Sequence, residues 1–341
     1  MKKCIFLFFF SLSNVIHAQV PGTPVLHSHI FVFRGLLDQV EQTASFALST
    51  RKLRNAYTGP ALRVRRSGDD AQADVAFDAN NVVSDNSVVT IAAAGTSGLA
   101  LNSTMSLASF RSGRTLNVSI WYDQSLNGYN GVQTSTARQP ALEIANAGAS
   151  NAYATLSFVG ANKTNVTINQ PLPTLLGSGL RGSVLLIAKI LAGSGTNNSF
   201  GYSDISNNSI RWSAHMNWPS DNNYMYTDFG NSADVGRYFL NNSTLGFNAY
   251  KQYTLIRNPT DKIVRVSGSA KNNSNLNFNT PPTWSAGSTF GVGITTGSLD
   301  SVLNQNGFTG NIPEFILFSE PLNRVQYSTL ENNQIIFWGS Y

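Results

Sequence analysis

Ile120-Trp-Tyr-Asp-Gln-Ser-Leu-Asn-Gly-Tyr-Asn130 decides how the chain is read. A β-forming run, Ile120 to Tyr122, meets residues that stop a strand. Asp123 and Ser125 have short side chains whose oxygens accept from nearby backbone N–H groups, and Asn127-Gly128 supplies a position with positive φ. The stretch predicts a strand running into a tight turn at the rim of a sheet. Upstream, the turn signal Tyr57-Thr58-Gly59-Pro60 precedes Ala61-Leu62-Arg63-Val64-Arg65, where apolar and basic residues alternate as in a half-buried strand.

The same pattern continues in both directions. Strands are expected at 74–77, 116–122, 154–159, 184–190, 209–216, 224–229, 251–257, 263–267, 289–294 and 310–318. Asn- and Gly-rich turns such as 193–198, 206–208 and 272–275 separate them. Leu36, Leu37, Val40, Ala44, Ala47 and Leu48 recur at helical spacing and predict one short helix within 36–53. Leu322, Val325, Leu330, Ile335 and Ile336 predict a terminal helix over 322–337. So many short strands with one or two helices imply an all-β protein of two packed antiparallel sheets.

Composition agrees. Of 341 residues, 42% are hydrophobic and only 12% are charged, so Asn, Ser, Thr and Gly must cover much of the surface. The net charge of +5 is too small to argue for nucleic acid. Lys2 and Lys3, the apolar run Ile5 to Phe10 and the small Ala18 predict a secretory signal peptide over 1–18, too short to span a membrane. A lead-in at 19–35 and one domain over 36–341 complete the expected organisation. The sole cysteine, Cys4, lies in the signal, so the mature chain is expected to use neither disulfides nor cysteine chemistry.

The common catalytic motifs are missing: no phosphate-cradling Gly loop, no G-x-S-x-G elbow and no paired His at metal spacing. His27 and His29 near a chain end do not make a site, and neither a metal nor a cofactor is expected. His215 reads as a cleft or surface side chain. The basic cluster Arg51, Lys52, Arg54, Arg63, Arg65 and Arg66 is offset by Asp69, Asp70 and Asp74, which points to ion pairs rather than nucleic acid.

Two segments, 51–78 and 120–130 with Gln139-Pro140, resemble in content and order the catalytic domain of the α-L-arabinofuranosidase B family, glycoside hydrolase family 54, and related concanavalin A-like (laminin-G-like) proteins. The resemblance runs from about residue 40 to the end, with Tyr122-Asp123-Gln124-Ser125-Leu126-Asn127-Gly128 its most specific element. It implies a concanavalin A-like antiparallel β-sandwich, or jelly roll. It also implies hydrolysis of arabinofuranosyl groups with retention, which needs a carboxylate nucleophile and a carboxylic acid about 5 to 5.5 Å apart. The family's Asp-x-Glu-Asn nucleophile stretch is matched by Asp228-Phe229-Gly230-Asn231, with Gly230 where the Glu belongs. Thr295 or Thr296 stands at the position of the acid, and Asp300 comes several residues late. Asp228 and Asp300 are therefore only weak catalytic candidates.

Binding does not need that pair. Trp212, Tyr226, Asp228 and Asn231 have the residue types of a saccharide site, an aromatic face for the sugar's C–H groups with a carboxylate and an amide for its hydroxyls. Packing of Trp212 and Tyr226 between the sheets is the alternative. The leading expectation is a secreted, extracellular or periplasmic carbohydrate-binding or adhesion domain whose partner is a glycan, with arabinose-containing polysaccharide suggested by the resemblance. An active α-L-arabinofuranosidase with displaced carboxylates and a structural phage-like or envelope sandwich are the alternatives.

Overall fold

The computed structural model describes residues 34–144, 153–193, 195–203, 211–220, 223–230, 238–241, 247–271, 284, 287–297 and 307–340. The expected signal peptide, most of the lead-in, His27 and His29 lie outside these residues. The described chain belongs to the compact unit Arg34–Tyr341. It forms an all-β sandwich whose described strands make one sheet of sixteen and another of five.

Two strands, Gly182–Ile190 and Gly310–Phe318, form the middle of the larger sheet and pair antiparallel from Ser183↔Phe318 to Ile190↔Gly310. Their near-continuous apolar sequence suits a sheet covered on both faces. On one face Leu185, Ile256, Ile316 and Phe318 pack with Leu36, Leu37, Leu322 and Leu330. On the other, Val184, Leu186, Phe315 and Leu317 enter the main core. There the Phe315 ring stacks on Phe46 at 5.9 Å and meets Phe200 of the smaller sheet edge-on at 5.0 Å. Such contacts between large rings hold the two sheets together.

The predicted helix over 36–53 is not found. Leu36–Gln39 makes a single 3-10 turn, and Phe46–Ser49 is a strand paired antiparallel with 314–317. All of its residues are buried, so an apolar run on both faces mimicked helical spacing. Two short α-helices, Leu107–Arg111 and Leu172–Leu176, and the strand Val88–Ala93 are additions to the expectation. The terminal helix spans Arg324–Trp338, started by a reciprocal cap between Asn323 and Gln326 and ended by Gly339 at φ 61°. It docks through the buried Glu314 carboxylate, which accepts from Ser49, Arg51, Gln334 and Trp338.

The rim turn is architectural, and four arginines of the basic cluster are ion-paired. Asp123 accepts from the Ala47, Ser125 and Tyr129 N–H groups at 2.8, 2.8 and 3.0 Å and from the Ser125 hydroxyl at 2.7 Å. Arg63 pairs with Asp74, Arg65 with Asp70, and Arg66 with Asp69, each at 2.7 Å. Arg51 pairs with Glu314 at 2.7 Å. Among the described residues, no helix is long and apolar enough to cross a membrane.

Candidate functional site

The five-stranded sheet runs Tyr238–Asn241, Tyr224–Thr227, Arg211–Trp218, Ser199–Ser203 and Thr295–Thr296, the last joined in parallel. Side chains of a strand alternate between faces, and its two faces here have opposite chemistry. Phe200, Trp212, Ala214, Met216 and Met225 point into the core between the sheets. Their neighbours Ser199, Ser203, Arg211, Ser213 and His215 point the other way and are also buried. The pairings Ser199↔His215↔Tyr226 and Thr295↔Gly201↔Ser213 set these residues in rows across that outer face.

Asp228 follows the Tyr224–Thr227 strand but stays in the ladder, because its N–H donates to the Ser213 carbonyl at 2.9 Å. Its carboxylate is fully buried. Oδ2 lies 3.3 Å from Arg211 Nη1 and 3.9 Å from His215 Nε2. The His215 ring meets Trp218 edge-on at 4.7 Å, and Trp218 and Tyr224 each meet Tyr226 edge-on, at 5.8 and 6.3 Å. Trp218 and Tyr224 are half-buried and Tyr226 is only 6% exposed. The result is a buried carboxylate beside a guanidinium and an imidazole, with an aromatic cluster at its edge. Within the same face, the hydroxyls of Ser203, Ser213 and Thr295 are buried and make no hydrogen bond. A buried hydroxyl without a partner costs about 1–3 kcal/mol, so three on one face are an expensive feature of the fold.

The structure separates the residues expected to act together. Trp212 does not offer a face to a sugar. It is fully buried, stacks on Phe229 at 3.9 Å and donates from Nε1 to the Gly179 carbonyl at 3.1 Å. Its register against Tyr202 turns it inward, which corrects the expectation of an aromatic platform there. His215 is fully buried rather than a surface group. Tyr226 and Asp228 share the outer face, while Asn231 and Asp300 lie outside the described residues. The reading of single residues missed Arg211 and Ser213, although the alternation of Arg211, Ser213 and His215 with Trp212, Ala214 and Met216 is a sequence signal for them.

Gly230 has a structural reason to be glycine. Its φ is +91°, and a Cβ built there would fall on the Arg257 guanidinium. Arg257 is buried, donates to the Leu180 and Phe229 carbonyls, and burial lowers its pKa to about 10. The side chain of a glutamate at position 230 would need the space this guanidinium occupies.

No family model matches the chain, and no curated protein matches it. Solved structures do. One is an arabinofuranosidase complexed with arabinofuranosyl-α-1,2-xylobiose, 13% identical, with 90% of this chain and 64% of that one covered at a TM-score of 0.57. Another is a glycoside hydrolase family 54 α-L-arabinofuranosidase soaked with a cyclic sulfate inhibitor, also 13% identical, covering 90% and 65% at a TM-score of 0.53. The chain thus spans less than two thirds of the length of either enzyme. At this identity the likeness shows that the fold is shared.

Proposed function

We propose that the protein is a secreted carbohydrate-binding domain, with a signal at 1–18 and a single sandwich domain over 36–341, that uses the outer face of its five-stranded sheet to hold a glycan. One observation carries this reading: Asp228, Arg211 and His215 converge beside Trp218, Tyr224 and Tyr226 on a face whose hydroxyls at Ser203, Ser213 and Thr295 make no hydrogen bond. Charged and hydroxyl groups suit sugar hydroxyls, and aromatic rims suit the C–H faces of a sugar ring. Asn231 is a further proposed contact. The shared fold with arabinofuranosidases makes arabinose-containing polysaccharide the first ligand class to test.

Hydrolysis is the less supported use of this face. Retention requires two carboxylates across the sugar, and Gly230, at φ +91° with the Arg257 guanidinium against it, supplies none at the position the resemblance assigns to the nucleophile. An aspartate such as Asp221, Asp228 or Asp234 would have to take that role, with Asp300 a candidate for its partner. A structural domain without a sugar site is the other reading, and the burial of Trp212 favours it.

The test pairs two assays on the full chain: binding to arabinan and a glycan panel, and hydrolysis of an aryl α-L-arabinofuranoside. Each is run on wild type, Asp228→Asn and Trp218→Ala. The expected result is binding without turnover, weakened about tenfold or more by either substitution. Turnover abolished by Asp228→Asn would overturn the binding-only reading in favour of an enzyme. Silence in both assays would leave the structural domain.

A further inference from the structure

A second polar site lies on the larger sheet, where that sheet parts. The strand Leu116–Trp121 has two different neighbours on the same side. Ile120 and Trp121 pair with Val132 and Gly131, whereas Asn117 pairs with Ala141. Between them the segment 133–140 crosses the opening, held by Gln133 N–H to the Ser119 carbonyl at 2.9 Å and Val118 N–H to the Pro140 carbonyl at 2.8 Å. On its other side the strand pairs with Leu62–Arg66, with a register shift between Arg63 and Val64 that leaves Ser119 at a bulge. Bulges re-aim side chains and are common beside binding sites. Here a cavity of about 280 Å³ opens over Arg63, Arg65, Gln72, Ser119, Ile120 and Gln139.

The cavity's donors are held in place before any ligand arrives. Arg63 grips Asp74 with Nε and Nη2 at 2.8 and 2.7 Å, and Arg65 reaches Gln139 Oε1 at 2.8 Å and Asp70 at 2.7 Å. The Gln139 amide in turn donates to the Gln133 carbonyl at 3.0 Å. Other groups keep capacity in reserve. The Ser119 hydroxyl has only long contacts, 3.3 Å to the Arg63 carbonyl and 3.5 Å to Gln72 Oε1. Ile120 and Val132, directly opposite each other, supply a small apolar floor.

The chemistry of the occupant follows. Each arginine is matched by an aspartate, so the cavity has no net positive charge with which to select an anion. Its walls mix the apolar Ile120 and Val132 and side-chain stems with amides, hydroxyls and guanidinium edges, a combination that suits a ring with both C–H and hydroxyl groups. They carry no aromatic ring on which a nucleic-acid base would stack. Its volume is at the lower end of ligand pockets, which suits one small ring rather than an extended chain. We infer that this split in the larger sheet is a binding site for a neutral saccharide ring, separate from the Asp228 face and sharing no residue with it.

The probes are L-arabinose, D-xylose, D-galactose and D-glucose, with D-galacturonate as the charged comparison, at tens of millimolar in saturation-transfer NMR. The protein is the full chain carrying Asp228→Asn, so that any signal from the Asp228 face is already reduced. Gln72→Ala removes an amide, and Thr134→Trp fills the mouth from an exposed position; both leave the ion pairs intact. At least one neutral sugar should bind the Asp228→Asn protein, and each added substitution should weaken it about tenfold. No neutral sugar bound, binding untouched by both substitutions, or binding of galacturonate alone would each overturn the proposal. A partial fall in binding from wild type to Asp228→Asn belongs to the five-stranded sheet, and the binding that remains is what supports this site; complete loss on Asp228→Asn overturns it.

Discussion

Asp123 and Asp228 each sit at the end of a strand, and their surroundings differ in kind. Asp123 accepts from three backbone N–H groups and one hydroxyl, all from its own turn or the adjoining Phe46–Ser49 strand. Asp228 faces the side chains of Arg211 and His215, within a row of polar residues that includes hydroxyls making no hydrogen bond. A carboxylate saturated by backbone donors fixes the path of the chain. Beside the second carboxylate stand the buried hydroxyls of Ser203, Ser213 and Thr295 without a hydrogen bond, and a polar group left so is costly to the fold.

The largest effect that would test this contrast is at Asp123. Asp123→Ala leaves the N–H groups of Ala47, Ser125 and Tyr129 without their acceptor, and the loss in stability should be about 3–5 kcal/mol, read as a lower urea midpoint. Burial already pushes the Asp123 carboxyl above the usual carboxylate range, so its place in the fold depends on those donors. A near-neutral result would remove the argument that the turn is architecture. Asp228→Ala, by comparison, takes the carboxylate from a buried guanidinium and should lower both stability and binding.

The contrast also shows what a sequence makes legible. Tyr122-Asp123-Gln124-Ser125 could be read because short polar side chains next to Asn127-Gly128 act on their own backbone, and local chemistry is written in local sequence. The longer strands were legible from alternation or from apolar runs, and the terminal helix, predicted over 322–337 from its three- and four-residue spacing, is observed as Arg324–Trp338. Strands such as Val88–Ala93, Val166–Pro171 and Ser199–Ser203 carried no signal that was read. The helix expected within 36–53 failed because Phe46–Ser49 is covered on both faces and alternation disappears there. At the candidate site the difficulty was parity. Whether Trp212 or His215 faces the core depends on which strand each pairs with, and a shift of one residue exchanges the faces. The arginine against Gly230 comes from Arg257, far along the chain, and no local pattern announces it.

A middle-sized effect separates the two regions by pH. Hydrogen bonds from Arg66, with further help from the Ala71 N–H and the charge of Arg114, hold the Asp69 carboxyl below the usual carboxylate range. A carboxylate with a depressed folded pKa contributes stability that is fully present above its unfolded pKa, about 3.9, and is lost as pH falls through the folded value. Asp69→Asn should therefore lower the urea midpoint at neutral pH, by less than Asp123→Ala does. The gap to wild type should close as the solution is acidified below about pH 4. A gap that stays constant into acid would show that shape, rather than charge, is what Asp69 supplies to the Leu62–Arg66 edge.

The smallest effect on stability carries the most information about the other region. Ser213 lies beside Asp228 in the ladder and opposite Gly201, and its buried hydroxyl makes no hydrogen bond. Removing a polar atom that has no partner relieves a desolvation cost, so Ser213→Ala should leave stability within about 0.5 kcal/mol of wild type or raise it. If the outer face exists to hold a glycan, the same substitution should weaken glycan binding severalfold in a titration calorimeter, since the lost hydroxyl is then one the ligand uses. Stability gained together with binding lost is the signature of a group kept for a partner at the fold's expense. Stability lost instead would place Ser213 with Asp123, as part of the framework, and would weaken the case that the five-stranded sheet keeps its polar face for a ligand.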